Sequence, residues 1–141
     1  MRLQKVYSLG RIINAELYQR LIHLDLVVFP DCGNEFIKDN REWWVIQENG
    51  KIVAFCGCLY TPYGICIFNR AWVYKPYRGK GIQKKMIKAR IKAAKQHCTS
   101  IITYTTTDNI VSANNLLKLG FLLYIPKYKW VGEQLYFYKY I

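Results

Sequence analysis

The sequence predicts one α/β or α+β domain with a mixed sheet. Short apolar segments alternate with turn signals, a pattern typical of antiparallel strands. A long amphipathic helical segment also separates two β-branched segments, as expected of a crossover that joins parallel strands. The chain has 141 residues, 52% of them hydrophobic, which is enough for a single core across residues 1–141.

The first part of the chain predicts a strand followed by a helix. Imperfect alternation over residues 3–9 indicates the strand, which ends at the break formed by Gly10 and Arg11. Asn14 is a typical N-cap, and apolar residues recur after it at helical spacing until Pro30. The turn-rich residues that follow predict a loop with a short helix.

Two hairpins are expected next. Strand-like residues 43–47 and 52–59 flank Asn49-Gly50, a dipeptide that favours the tight turn of a two-residue hairpin loop. A second turn leads into a strand over residues 65–74. The centre of the chain therefore predicts an antiparallel meander of three strands.

The second half adds a helix, a strand, a short helix and a terminal hairpin. Beyond Gly81, one helical face is apolar and the opposite face carries lysines. β-Branched and aromatic residues predict a buried strand over 100–107, and a short helix then ends at Gly120. Strands over 121–130 and 134–140 are expected to close the chain as a hairpin.

The composition limits the function classes. The formal charge is +12, and no acid lies between Glu48 and Asp108. Such a charge attracts nucleic acids or small polyanions such as nucleotide cofactors, and composition leaves both open. Cysteines without a C-x-x-C pair favour reduced thiols in a cytoplasmic protein. No membrane span is expected, and the two histidines lie apart from any metal-like cluster, so no metal site is expected either.

The turn at residues 78–83 combines features that favour an anion. Gly79 and Gly81 space two cations between an apolar β-branched segment and the lysine-rich helix. Glycine lets the backbone approach a ligand closely, and the N–H groups at the start of a helix point at an anion. The turn therefore suits a pyrophosphate.

Three short segments resemble landmarks of the GNAT superfamily of acyl-CoA-dependent N-acyltransferases. Residues 78–82 (RGKGI) resemble its Q/R-x-x-G-x-G/A phosphate loop. Residues 109–112 (NIVS) and 119–121 (LGF) resemble the N-x-x-A/S and G-F landmarks of its last helix and next strand. The resemblance implies a mixed, mostly antiparallel central sheet of about seven strands with helices on both faces.

The resemblance also implies acetyl-CoA as co-substrate, with no metal. In the family, the phosphate loop cradles the coenzyme A pyrophosphate. The strand before that loop splays from its neighbour, so its free backbone groups pair with the pantetheine arm. Carried over by position, the implied cofactor-binding residues are Trp72, Val73, Arg78, Gly79, Lys80, Gly81, Ile82, Gln83, Lys84, Asn109 and Ser112.

The chain departs from the family pattern at three places. Gln83 stands where a second small residue is usual, so a bulkier first helical turn is expected. Leu116 stands where the family often has a tyrosine acid, and Tyr124 or a water molecule is the expected substitute. Residues 65–73 contain no carboxylate, so direct attack by a neutral amine is expected, with water taking its proton. The acids expected to attract a cationic acceptor are Asp31, Glu35 and Asp39.

The expected function is acetyl transfer from acetyl-CoA to a primary amine of an unidentified small-molecule or protein acceptor. The alternative is a catalytically silent basic domain of the same fold that binds nucleic acid or a protein partner. Aromatic residues interleave with lysines over residues 124–140, which suits stacking on single-stranded nucleic acid. Packing of these aromatics within the domain and across a homodimer is the favoured interpretation.

Overall fold

The computed structural model describes residues 1–33 and 35–141. Strands and helices alternate along the described chain much as the sequence patterns predict. Two short 3₁₀ turns, Glu35–Ile37 and Lys75–Tyr77, lie between them. The elements are β1 (Leu3–Ser8), β2 (Arg11–Ile12), α1 (Ala15–Val28), β3 (Arg41–Glu48), β4 (Lys51–Tyr60), β5 (Ile65–Val73), α2 (Ile82–Ala94), β6 (Ser100–Thr105), α3 (Ile110–Lys118), β7 (Leu122–Tyr124) and β8 (Leu135–Tyr140).

The strands of the described chain form one sheet in the order β2-β1-β3-β4-β5-β6-β8-β7. The pair β5–β6 is parallel and is joined by α2 as the crossover, while the other neighbouring pairs are antiparallel. This confirms the expected mixed, mostly antiparallel sheet. The described sheet has eight strands, one more than the seven expected, because the chain reverses at Leu9-Gly10 and adds the two-residue β2.

Helices cover both faces of the sheet, as expected. On one face, α1 packs Leu21 against Trp43 and Phe55. On the other face, α2 and α3 bury Met86, Ile87 and other apolar residues against β4, β5 and β6. Each fully buried large apolar side chain contributes about 1.5–3 kcal/mol, so these two clusters fix the helices and thereby the loops between them.

Local signals in the sequence determine where several elements begin. The Oδ1 atom of Asn14 accepts a hydrogen bond from the Leu17 N–H at 3.1 Å, which confirms the predicted N-cap of α1. Asn49 and Gly50 both have positive φ, at 52° and 75°, as a tight two-residue hairpin loop requires. The predicted β3–β4 hairpin is therefore confirmed.

The prediction for the end of the chain is partly wrong. The strand expected over residues 121–130 ends at Tyr124, because Pro126 has no N–H and restricts Ile125 before it. Residues 125–134 are irregular, so β7 and β8 are antiparallel neighbours without the tight connection expected of a hairpin. The strand expected over 100–107 likewise ends at Thr105.

Candidate active site

The central feature of the site is a gap between β5 and β6. Their parallel pairing runs from Ile65–Ser100 to Phe68–Thr103 and stops there. At the last pair, the Thr103 hydroxyl donates to the Phe68 carbonyl at 2.6 Å. Residues 69–73 of β5 continue with β4 as their strand partner on the other side. Their backbone polar groups on the β6 side therefore face the gap, where a ligand can pair with them.

A β-bulge in β5 accompanies this divergence. Between the pairs Leu59–Ile67 and Gly57–Arg70, β4 advances by two residues and β5 by three. The extra residue switches which side chains face which side of the sheet. Phe68 packs in the cluster under α2, whereas Arg70, two residues later, contacts α1 on the opposite face.

The glycine turn (residues 78–81) leads from β5 into α2. Gly79 and Gly81 have φ of 77° and 79°, and no heavy atom lies within 4 Å of a Cβ built on either. Gly81 is the N-cap of α2 and provides no side-chain cap. The N–H groups of the first helical turn are therefore available to a ligand, and no acid in that turn opposes an anion.

A cleft of about 650 Å³ joins this turn to β5 and α3. It brings together the residues predicted to bind the cofactor, with one exception. Lys80 does not line the cleft; its ammonium lies 5.3 Å from the centre of the Tyr77 ring. No carboxylate is among the lining side chains of the described residues. The predicted residues that line it are Trp72, Val73, Arg78, Gly79, Gly81, Ile82, Gln83, Lys84, Asn109 and Ser112.

The bulky Gln83 joins the two helices that form the cleft. Its Nε2 donates to the Ser112 hydroxyl at 2.7 Å, and its Oε1 accepts from the Asn115 amide at 2.6 Å. Asn109 caps α3, since its Oδ1 accepts from the Ser112 N–H at 3.1 Å. The departure from a small residue at position 83 therefore creates a polar bridge between α2 and α3.

A smaller cavity of about 180 Å³ occupies the gap itself and shares Phe29, Ala71, Gln83, Asn109 and Ser112 with the cleft. Because the sheet is open here, the cavity reaches both faces. Its lining includes side chains of the α1 face and of the α2–α3 face. Those central to its chemistry are Phe68, Arg70, Arg90, Tyr104, Thr105 and Leu116.

Comparison with known proteins assigns the family. The model of the acetyltransferase (GNAT) family matches residues 6–121. The chain belongs to the GNAT family. This confirms the resemblance to the GNAT superfamily. No protein of curated function matches the sequence.

Solved structures share the GNAT fold over nearly the whole chain. An IAA acetyltransferase from Bacillus cereus is 14% identical, with a TM-score of 0.73 and 99% of both chains covered. A Bacillus subtilis acetyltransferase in complex with CoA is 19% identical, with a TM-score of 0.67 and 99% of both chains covered. Tetrahymena GCN5 is 20% identical, with a TM-score of 0.68, over 100% of this chain and 96% of that one.

The face of the GNAT domain covered by α1 contains two ion pairs that the sequence patterns did not indicate. Arg70 Nε donates to Asp25 Oδ1 at 3.0 Å, and Arg70 Nη2 donates to the carbonyls of Cys32 and Gly33 at 3.3 and 3.0 Å. Arg41 pairs with Glu35. Burial raises the pKa of Asp25, and the Arg70 cation opposes this shift. Arg70 and Arg41 thus each have a carboxylate partner on this face.

The acids predicted to attract an acceptor do not form one cluster. Glu35 contacts Arg41 and, at 3.3 Å, Lys38. Asp39 is exposed and accepts from the Tyr7 hydroxyl at 3.4 Å, while Asp31 is exposed in the loop after α1. None of the three lines the cleft or the gap cavity. Their role in acceptor binding stays a prediction without geometric support.

Tyr124, the predicted substitute acid, also lies away from the gap. It is on β7, separated from β6 by β8, and packs edge-on against Tyr136 and Tyr138. The phenol that lines the gap cavity is Tyr104. Burial raises its pKa, so it remains a neutral donor near neutral pH. Sequence patterns missed Tyr104 because it lies in a regular alternating strand and carries no motif.

The helices of the described residues are too short or too polar to cross a membrane.

Proposed function

We propose that the chain transfers an acetyl group from acetyl-CoA to a primary amine. The observation that carries the proposal is the continuous path from the glycine turn, through the cleft, into the gap beside β5. A polyanion with an extended amide-rich arm fits such a path, because N–H groups meet its phosphates and a free strand edge meets its amides. Bound acetyl-CoA would supply an acyl group already activated as a thioester.

Each part of the path has a proposed role. The backbone N–H groups of Gly79, Gly81, Ile82 and Gln83 would hold the pyrophosphate. The open space around both glycines supports this role, since a Cβ at either would narrow the approach. The exposed cations Arg78 and Lys80 and the half-buried Lys84 would add electrostatic attraction. On opposite sides, the side chain of Trp72 with the backbone N–H of Val73, and the side chains of Asn109 and Ser112, would contact the arm.

The proposed mechanism is direct attack by a neutral amine. Neither β5 nor the lining of the gap cavity contributes a carboxylate among the described residues, so no side-chain base of that type faces the acyl end. The amine would lose its proton to water. The acceptor class stays open.

The proposal is tested by ligand-induced stabilisation with a matched pair of glycine variants. Acetyl-CoA at 100 times its dissociation constant stabilises a folded protein by about 2.7 kcal/mol, a rise of about 5–10 °C in the Tm of a domain of this size. Gly81→Glu places a side chain and a negative charge at the proposed phosphate site and should abolish this rise. Gly132→Glu is the control, because Gly132 also has φ of 79° and open surroundings.

Three outcomes are informative. Stabilisation of the wild type and of Gly132→Glu, but not of Gly81→Glu, would support the proposed site. Equal stabilisation of both variants would remove the glycine turn from cofactor binding. A folded wild type that no thioester of coenzyme A stabilises would refute the proposed function.

The second candidate is a basic binding domain without catalysis. The exposed lysines of α2 and its C-terminus favour it, since Lys85, Lys88, Lys92 and Lys95 form a strongly cationic face. Binding of this kind releases counterions, so the affinity for a single-stranded oligonucleotide should fall steeply with salt. Oligonucleotide binding with such a salt slope, without any effect of acetyl-CoA, would favour this candidate.

A further inference from the structure

Thr105 lines the gap cavity, and its hydroxyl is buried without a hydrogen-bond partner among the described residues. The residue is 7% exposed. Thr103, two residues earlier on the same face of β6, is similarly buried but donates to the Phe68 carbonyl. A buried hydroxyl that stays unpaired is unfavourable, so its partner is expected from a molecule that enters the cavity.

The divergence of the strands explains this missing partner. At Thr103, β5 is still close enough to provide a carbonyl. At Thr105, β5 has separated from β6, and the space holds the cavity. On the helical side, the cavity is lined by Gln83, Ile87, Arg90, Ser112 and Leu116, and none of these side chains accepts a hydrogen bond from this hydroxyl. A ligand that enters the gap can provide the missing acceptor.

The face of the sheet on which Thr105 lies indicates which part of the proposed co-substrate its hydroxyl would contact. That part is the acyl end. Thr105 alternates with Ile101 and Thr103, and Ile101 packs under α2 and α3, the helices that line the cleft. The neighbouring Tyr104 has the opposite parity and contacts Trp130 instead. A hydrogen-bond donor on the α2–α3 side would contact a co-substrate bound in the cleft. Tyr104 would instead contact a molecule that enters from the α1 side.

We propose that Thr105 is a catalytic residue whose hydroxyl donates a hydrogen bond to the sulfur of the coenzyme A thioester; this rests on the proposed function. As the C–N bond forms and the C–S bond breaks, the sulfur leaves with the bonding electron pair and gains negative charge. A donor already aimed at the sulfur stabilises that charge more strongly than the initial thioester. Thr105 keeps its proton, the amine proton goes to water, and the leaving thiolate takes its proton from water.

The test compares Thr105→Val, which removes the hydroxyl at nearly constant volume, with Thr105→Ser, which keeps it. The exposed Thr107→Val in the following turn is the control. The first readout is the pKa of the thiol of bound coenzyme A, followed by ultraviolet thiolate absorbance against a desulfo analogue. Arg70, Arg90 and Tyr104 also line the cavity. They are unchanged in all variants, so differences among variants report the hydroxyl.

The expected result is a bound-thiol pKa about one unit higher in Thr105→Val than in the wild type, with Thr105→Ser and Thr107→Val unchanged. With hydroxylamine as the amine probe, kcat should fall about tenfold or more in Thr105→Val, with little change in KM for acetyl-CoA. Stabilisation by acetyl-CoA should persist in every variant.

Other results would overturn the assignment. A Thr105→Val protein that still binds acetyl-CoA and has the wild-type thiol pKa and kcat would exclude Thr105 while leaving the proposed function intact. A wild type that does not bind acetyl-CoA would remove both. Should Thr105→Val fail to fold, a wild-type bound thiol with a pKa no lower than that of free coenzyme A would itself contradict the role.

Discussion

Removing the carboxylate of Asp25 should destabilise the domain strongly. Asp25 and Arg70 are 2% and 4% exposed, and the substitution Asp25→Ala leaves a buried guanidinium without a carboxylate partner. Breaking a buried pair from one side costs about 3–5 kcal/mol. Arg70 keeps its hydrogen bonds to the carbonyls of Cys32 and Gly33, so we expect a loss of stability at the lower end of this range, about 3 kcal/mol. This is a large part of the roughly 5–15 kcal/mol that stabilises a typical domain.

Urea unfolding at neutral pH measures this effect. The midpoint should fall in Asp25→Ala while the m-value stays constant, since the surface exposed on unfolding is unchanged. Asp25→Asn retains an oxygen that accepts from Arg70 and should lose only about 1 kcal/mol. Glu16→Ala is the surface control. Glu16 is 84% exposed and lies 4.0 Å from Arg20, so this substitution should reduce the stability only slightly.

A double variant distinguishes the contribution of the charged pair from that of the volume its side chains fill. Asp25→Leu with Arg70→Leu replaces both charges by apolar groups and should recover much of the stability lost in Asp25→Ala. A loss in Asp25→Ala no larger than that of Glu16→Ala would show that the buried guanidinium does not depend on Asp25, and the reasoning would be wrong.

Two further predictions concern Glu42 and Gln83. Burial raises the pKa of Glu42, but hydrogen bonds led by that from Lys5 outweigh it and hold the pKa below its ordinary value of 4.5. Stability from such a group is present above the unfolded-state pKa and is lost as pH falls through the folded-state pKa. In urea titrations, the stability lost in Glu42→Gln should therefore be largest at pH 7 and should decrease as the pH falls below 4.5, and a loss that does not change with pH would contradict this. Gln83→Leu breaks the two hydrogen bonds to α3 and should cost about 1–3 kcal/mol, with faster amide exchange in α3; Gln96→Leu, at an exposed position, is the control.

The parts of the fold that the sequence predicted are those set by local physics. Asn49-Gly50 requires positive φ, Asn14 caps a helix, and the apolar face beyond Gly81 has helical period, so each signal lies within one element. Gly57 shows the limit of such reasoning. The ring of Trp43 lies 2.5 Å from where a Cβ at Gly57 would be, a contact between neighbouring strands that appears only once the register is known.

The cleft beside the glycine turn was predictable from the sequence, whereas the ion pairs on the α1 face were not. The glycine turn and Asn109 are contiguous motifs at element ends, where backbone geometry determines the chemistry. By contrast, the pair between Asp25 and Arg70 joins residues 45 positions apart, and the bulge that aims Arg70 at α1 leaves no pattern in the sequence. Long-range pairing of this kind depends on register, which periodicity does not specify.

The described residues that line the gap include no carboxylate, which is consistent with the proposed chemistry once their charges are considered together. Arg90 is 4% exposed and lines the gap cavity without a carboxylate partner among the described residues, and Arg78 and Lys84 line the adjoining cleft. Under the proposed function, an amine that enters this field meets cations, which disfavour its ammonium form and lower its pKa. The cations that attract the polyanionic co-substrate would thus also favour the neutral form of the bound amine.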